Sequence, residues 1–313
     1  MTPLSRLDEW KSRGLISPEQ HTHLSGLVGG EPLSLYLELN LLLYAGVLAF
    51  VAGLGWTVAT WSEKLGDVAV LTALSALLGA CLWYCFTRAA VWSAEQTPSP
   101  NLAFDYVLYL GCLVWSIELA YIEHRFQMFV GQWDLYLLLT AAFFFFLTYR
   151  FDNRLVLSLA LSALAGWFGI TVSQWPARAD AFYRHYAILY SLVVSGAGTV
   201  LRDRSVKAHL FSTYMHVAAN VLFWALLAGV FEQKWSWWGA GLVAACAASL
   251  HWGVTHREFA FVAYAAFYGY VGFTTLLLRG VRDSTAVLGY FLVTGTAMLV
   301  LLVQIARRFG RER

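Results

Sequence analysis

Ten stretches of 17 to 25 residues, each almost free of charge, divide this 313-residue sequence, and short charged or turn-like breaks separate them. They run over about 35–59, 66–88, 103–123, 134–150, 153–175, 185–201, 209–231, 236–256, 258–279 and 284–306. A helix of about 20 apolar residues crosses a hydrocarbon core of about 30 Å. Lipid offers backbone groups no partner outside a helix or a closed barrel, and these runs lack the alternation of barrel strands. The expected fold is therefore all-α: a polytopic transmembrane helical bundle of about ten spans. The fourth and sixth stretches are short, which leaves nine or eleven open.

Composition closes off the soluble alternative. Apolar residues make up 59% of the chain and charged residues 13%, where soluble domains have about 45–50% and about 25%. A soluble fold would leave too much of this surface facing water. The net charge of +2, from 21 Lys+Arg against 19 Asp+Glu, leaves no electrostatic footprint for a nucleic-acid partner. The bilayer is the partner that composition implies. A small-molecule substrate, a protein partner and a homo-oligomer all remain open.

Lys and Arg gather in cytoplasmic loops of membrane proteins. With ten spans and both termini in the cytoplasm, fourteen basic residues fall inside, among them Arg88, Arg150, Arg154, Lys207 and Arg257. Seven fall outside: Lys64, Arg125, Arg178, Arg184, Lys234, Arg279 and Arg282. Trp56, Trp61, Trp133, Trp175, Trp235, Trp237 and Trp238 then lie at outer ends, where amphipathic indoles favour the headgroup layer.

The first 33 residues carry Asp8, Glu9, Lys11 and Arg13 and no apolar core run, so they do not read as a signal peptide. They read as a cytoplasmic helical hairpin (1–33) ahead of the bundle (34–313). Leu4, Leu7 and Trp10 are expected on one face, Gly14 is a helix stop, and Ser17-Pro18-Glu19-Gln20 has the spacing of a capping box. Leu24, Leu27 and Val28 stripe the second helix.

No phosphate-binding loop, dinucleotide fingerprint, nucleophile elbow or His-Glu-x-x-His pair is present. No cofactor is therefore expected, and an enzyme is the less favoured reading. Cys81, Cys85, Cys112 and Cys246 fall within spans and read as structural thiols, and no metal set is spaced along the chain. Residues 89–102 read as a plain cytoplasmic linker.

Polar groups at membrane depth are expensive, so each is a functional candidate by default. Glu118 follows nine residues without a charge, Tyr109 to Ile117. It is the first candidate for a proton-coupling or cation-coordinating group, with Glu123 and His124 beyond it as an outer mouth. The bland alternative is a hydrogen-bonded packing carboxyl. Thr213, His216 and Asn220 share one face of span seven, and His251 lies at similar depth on span eight. The two histidines could face each other across antiparallel helices, relaying protons, ligating haem or bonding helix to helix. Asn40 in span one is a further candidate, or packing glue. Small residues recur at four-residue spacing in Ala45-Ala49-Gly53, Ala240-Ala244-Ala248 and Gly241-Ala245-Ser249, as close helix packing requires. Phe143 to Phe146 read as lipid-facing filler, and Tyr264, Phe267, Tyr268 and Tyr270 as core or cavity lining.

The pattern Leu7-x-x-Trp10-x-x-x-Gly14-Leu15-Ile16-Ser17-x-Glu19-Gln20 leads directly into the spans. With Glu118 through Gln127, Trp133, Tyr149-Arg150, Arg257-Glu258-Phe259 and Arg307-Arg308, it resembles a family of bacterial membrane proteins of unknown function (domain of unknown function number twenty-one fifty-seven). The resemblance implies a multi-pass protein of the bacterial inner membrane and carries over no activity and no catalytic residue. Two functions lead on the residues, ahead of a membrane-embedded enzyme or haem carrier acting on lipid or quinone. One is a transporter-like permease coupled to protons through Glu118. The other is a non-catalytic scaffold or assembly subunit that docks through residues 1–33.

Overall fold

The computed structural model describes residues 3–29, 36–128, 133–173, 179–232, 237–279, 281 and 284–311. All regular elements among them are helical. They are α1 (Pro3–Ser12), α2 (Pro18–Gly29), α3 (Tyr36–Leu65), α4 (Asp67–Arg88), α5 (Leu102–Phe126) and α6 (Trp133–Phe151). Then follow α7 (Arg154–Ser173), α8 (Ala179–Asp203), α9 (Phe211–Glu232), α10 (Trp237–Thr255), α11 (Phe259–Leu278) and α12 (Ser284–Arg311). Helices α3 to α12 coincide with the ten apolar stretches of the sequence. Eight of them, all but α8 and α10, are long and apolar enough to cross a membrane. Helix α8 carries Arg184 and His185, and α10 carries His251, three tryptophans and three glycines, which dilute their apolar character.

The chain divides into two units, residues 1–72 and 73–313, each described by itself. In the first, α1 and α2 pack on one another, and His21 Nε2 lies 2.9 Å from Asp8 Oδ1. The capping-box spacing is realised: the Ser17 amide donates to Gln20 Oε1 (2.9 Å) and the Gln20 amide to Ser17 Oγ (3.1 Å). Helix α3 ends at Gly66, whose φ of +80° turns the chain into α4 where a side chain would be strained.

The second unit is built from antiparallel pairs joined by tight turns: α6 with α7, α8 with α9, and α10 with α11. Each turn holds a non-glycine residue in the left-handed region: Asp152 (φ 63°), Ser205 and Lys207 (φ 56° and 49°), and Arg257 (φ 55°). Three apolar clusters follow one another through the unit. The first joins α4 to α7 around Cys85, Phe104, Cys112 and Leu147. The second joins α7 to α9 around Leu161, Tyr190 and Tyr214, and the third joins α9 to α11 around Phe223, Trp238 and Tyr268. In lipid, close van der Waals fit rather than hydrophobic drive holds such helices together.

Three expectations about helix faces are corrected. Trp238 is no interface anchor: it is 9% exposed and packs over Gly229. Of the four consecutive phenylalanines, Phe144 is core, Phe143 stacks on Trp115 at 4.3 Å, and Phe146 alone is exposed. Consecutive residues sweep about 100° each, so a run of four cannot share the lipid side. Within the second unit the Ala240-Ala244-Ala248 stripe is exposed, whereas Gly241-Ala245-Ser249 turns inward.

Candidate functional site

Glu118 sits eight residues from the C-terminal end of α5, and Ser75 eight residues from the N-terminal end of α4. At 1.5 Å per residue both lie roughly 12 Å in from the same end of this antiparallel pair. The matched depth lets Ser75 Oγ donate to Glu118 Oε1 across the two helices. Both line a half-open cavity of about 280 Å³ whose other walls include Leu78, Leu82, Trp115 and Ile122. The indole N–H of Trp115 is buried and has no hydrogen-bond acceptor among the described residues. The cleft thus joins one carboxyl and one hydroxyl to apolar walls. Small-residue packing sets its width: a Cβ on Gly111 would stand 3.3 Å from that of Cys81.

Beyond Glu118 toward the same end, Glu123 is buried and His124 is exposed in the last turn of α5. Helix α5 stops there because Gln127 takes a left-handed conformation and its amide caps the Glu123 carbonyl at 2.9 Å.

His216 and Asn220 of α9 form a second polar group with α11. The Tyr268 hydroxyl donates to Asn220 Oδ1 (2.8 Å), and Asn220 Nδ2 donates to the His216 carbonyl (2.8 Å). Tyr264 Oη lies 3.3 Å from His216 Nδ1, and the imidazole stacks on Phe261 with centroids 4.9 Å apart. His251 does not join them. It is exposed on α10, whereas Ser249, two residues back, is buried and donates to the Phe261 carbonyl of α11 at 2.8 Å. Two residues turn a helix by about 200°, so the face that carries Ser249 inward carries His251 outward. Equal depth gave no rotation. The Asn40 side chain lies outside the described residues. The cavity at Glu118 is bounded by α4 and α5 and does not reach His216.

Residues 8–157 match the model of the predicted membrane protein family DUF2157. The matched segment runs from α1 into the start of α7 and contains Glu118, Glu123 and Asp152; His216, Asn220 and His251 lie beyond it. No curated protein and no solved structure matches the chain.

Sequence reasoning missed a third polar group, at the turns of α6–α7 and α8–α9. Asp152 and Lys207 have side chains only 1% exposed and pair at 3.0 Å, and His209 Nε2 lies 2.5 Å from the second Asp152 oxygen. Residues 89–101 are strapped onto this pair and are no free linker. The Thr97 amide donates to Asp152 Oδ2 (2.6 Å), Lys207 Nζ to the Glu95 carbonyl (3.1 Å) and the Lys207 amide to the Ala94 carbonyl (2.7 Å). Trp92 Nε1 donates to the Tyr149 carbonyl at 3.1 Å, and Ser99 and Asn153 both donate to Asp105. Two buried charges held in left-handed backbone mark a junction that the surrounding structure over-determines. Its signals in the sequence were the two-residue Asp152-Asn153 break between long spans and a lone lysine 55 residues on. Each alone looks like a solvated loop charge.

Proposed function

We propose that this protein is a permease-like bundle of the inner membrane in which Glu118 is the proton-coupling or cation-coordinating group. In this reading the chain crosses ten times with both termini cytoplasmic, and residues 1–33 form a cytoplasmic helical hairpin. Helices α8 and α10 count as crossings because each pairs along its length with a spanning neighbour, and Arg184 of α8 is buried against protein. The observation that carries the function is the Glu118–Ser75 pair in a cleft of otherwise apolar walls. A carboxyl so placed changes the electrostatics of its cleft sharply when it gains or loses a proton or cation. The His216 group, whose members answer one another's hydrogen bonds, fits interhelical bonding better. The test is uptake of small cations and metabolites into proteoliposomes under an imposed pH gradient. Gradient-driven uptake by the wild type, absent from a folded Glu118→Gln variant, supports the reading; equal uptake by both overturns it.

A second reading, an assembly subunit, is favoured by α12, whose most apolar window is wholly unburied. It predicts that deleting residues 1–33 removes co-purifying proteins without changing helix content. A chain that purifies alone before and after deletion contradicts it.

A further inference from the structure

A second cavity, of about 270 Å³, lies between α7, α8 and α9 at the end of the unit where α8 begins and α9 stops. Its lining residues fall into rungs. Val172, Gly169 and Ala165 stand one, four and eight residues from the end of α7; Arg184, Ala187 and Tyr190 stand five, eight and eleven from the start of α8. Ala228, Ala225 and Val221 stand four, seven and eleven from the end of α9. At 1.5 Å per residue the lining residues run from about 2 Å to about 16 Å below the helix ends, along the bundle axis. Small side chains on all three helices keep it open.

One charged group heads this slot. Arg184 is only 8% exposed. Its Nη1 donates to Glu232 Oε2, and its guanidinium lies over Trp238 at 5.3 Å. Its Nε–H, also buried, has no acceptor among the described residues. A guanidinium carries five donors, and a buried unanswered one is costly enough to call for an acceptor. Arg184 stands roughly 7 Å below the start of α8, with Trp238 beside it and Trp237 exposed one residue away. In the ten-crossing reading this end of the helices lies at the headgroup level, where exposed aromatics such as Trp237 collect.

We infer that this slot binds one chain of an anionic phospholipid, with its phosphate accepting from the Arg184 guanidinium and its acyl chain lying between the rungs. A zwitterionic lipid offers the same phosphate but adds a cation beside Arg184. A free anion would leave the apolar length of the slot unused. The volume is below the ~300–1,000 Å³ of sites that enclose a whole drug-sized ligand, as suits a slot taking part of one.

The test uses the full-length protein, delipidated in mild detergent and titrated with dioleoyl-phosphatidylglycerol or dioleoyl-phosphatidylcholine, with bound lipid counted by native mass spectrometry. One tightly retained phosphatidylglycerol is expected, with phosphatidylcholine at least about tenfold weaker, because its cation would stand beside the Arg184 guanidinium. Arg184→Gln should weaken phosphatidylglycerol by a similar factor. So should Ala187→Leu, which keeps the charge and fills the slot, and serves alone if Arg184→Gln does not fold. Equal retention of the two lipids, unchanged binding in a folded Ala187→Leu variant, or competition by inorganic phosphate would overturn the assignment.

Discussion

Lys207→Met removes the charge from the buried junction while keeping a stem of similar length. The lysine ammonium lies 3.0 Å from Asp152 and 3.1 Å from the Glu95 carbonyl, and both charged side chains are 1% exposed. At an effective dielectric constant of about 20, two unit charges at that distance attract by about 5–6 kcal/mol. Desolvation of each ion takes back several kcal/mol, so the intact pair is near break-even against an apolar pair. Removing one partner is different, because Asp152 then stays buried with only His209 and the Thr97 amide beside it. The expected loss is about 3–5 kcal/mol. Asp152→Asn in the same chain should recover about 1–3 kcal/mol of it, since the two sites are in direct contact. Thermal or SDS-titrated unfolding in detergent reads the loss. Proteolysis reads its local consequence: Lys207 holds the loop at Ala94 and Glu95, so the variant should become sensitive to a glutamyl endopeptidase after Glu95. A loss below about 1 kcal/mol, with the loop still resistant, would refute the reasoning.

Gly229→Ala places a Cβ about 2.3 Å from the Trp238 ring, closer than any real contact, and the indole is rigid. It should lower stability by about 1–3 kcal/mol, with Trp238→Leu recovering part of the loss in the same unfolding assay. Glu118→Gln keeps the size of the side chain and an acceptor for Ser75. It should shift unfolding by no more than about 1 kcal/mol while removing gradient-driven uptake, and a large stability loss would mark Glu118 as a packing residue.

The helices were legible because twenty apolar residues between charges have few alternatives: all ten stretches are helical, and eight of those helices are long and apolar enough to cross a membrane. Facing was not legible. Trp238, Phe144 and His251 were each placed by depth and residue type, yet their surroundings depend on how a helix is rotated against its neighbours. That rotation is set by contacts such as Trp238 over Gly229 and Ser249 on the Phe261 carbonyl. Glu118 was visible as a lone carboxyl in an apolar run, but its donor, Ser75, is 43 residues away and has no sequence mark. Asp152 and Lys207 were hidden for a related reason. Charges beside turns are ordinarily solvated, and only the strap of residues 89–101 takes these two out of water.

Sided labelling of single cysteines tests the threaded bundle most directly. Lys64, Met128, Ser205 and Arg257 are exposed at four different breaks between helices. Ten crossings predict that a membrane-impermeant maleimide reaches Lys64→Cys and Met128→Cys from outside intact spheroplasts, and Ser205→Cys and Arg257→Cys only in inverted vesicles. Labelling of Ser205→Cys or Arg257→Cys from outside would mean that α8 or α10 does not cross, and the topology would be contradicted.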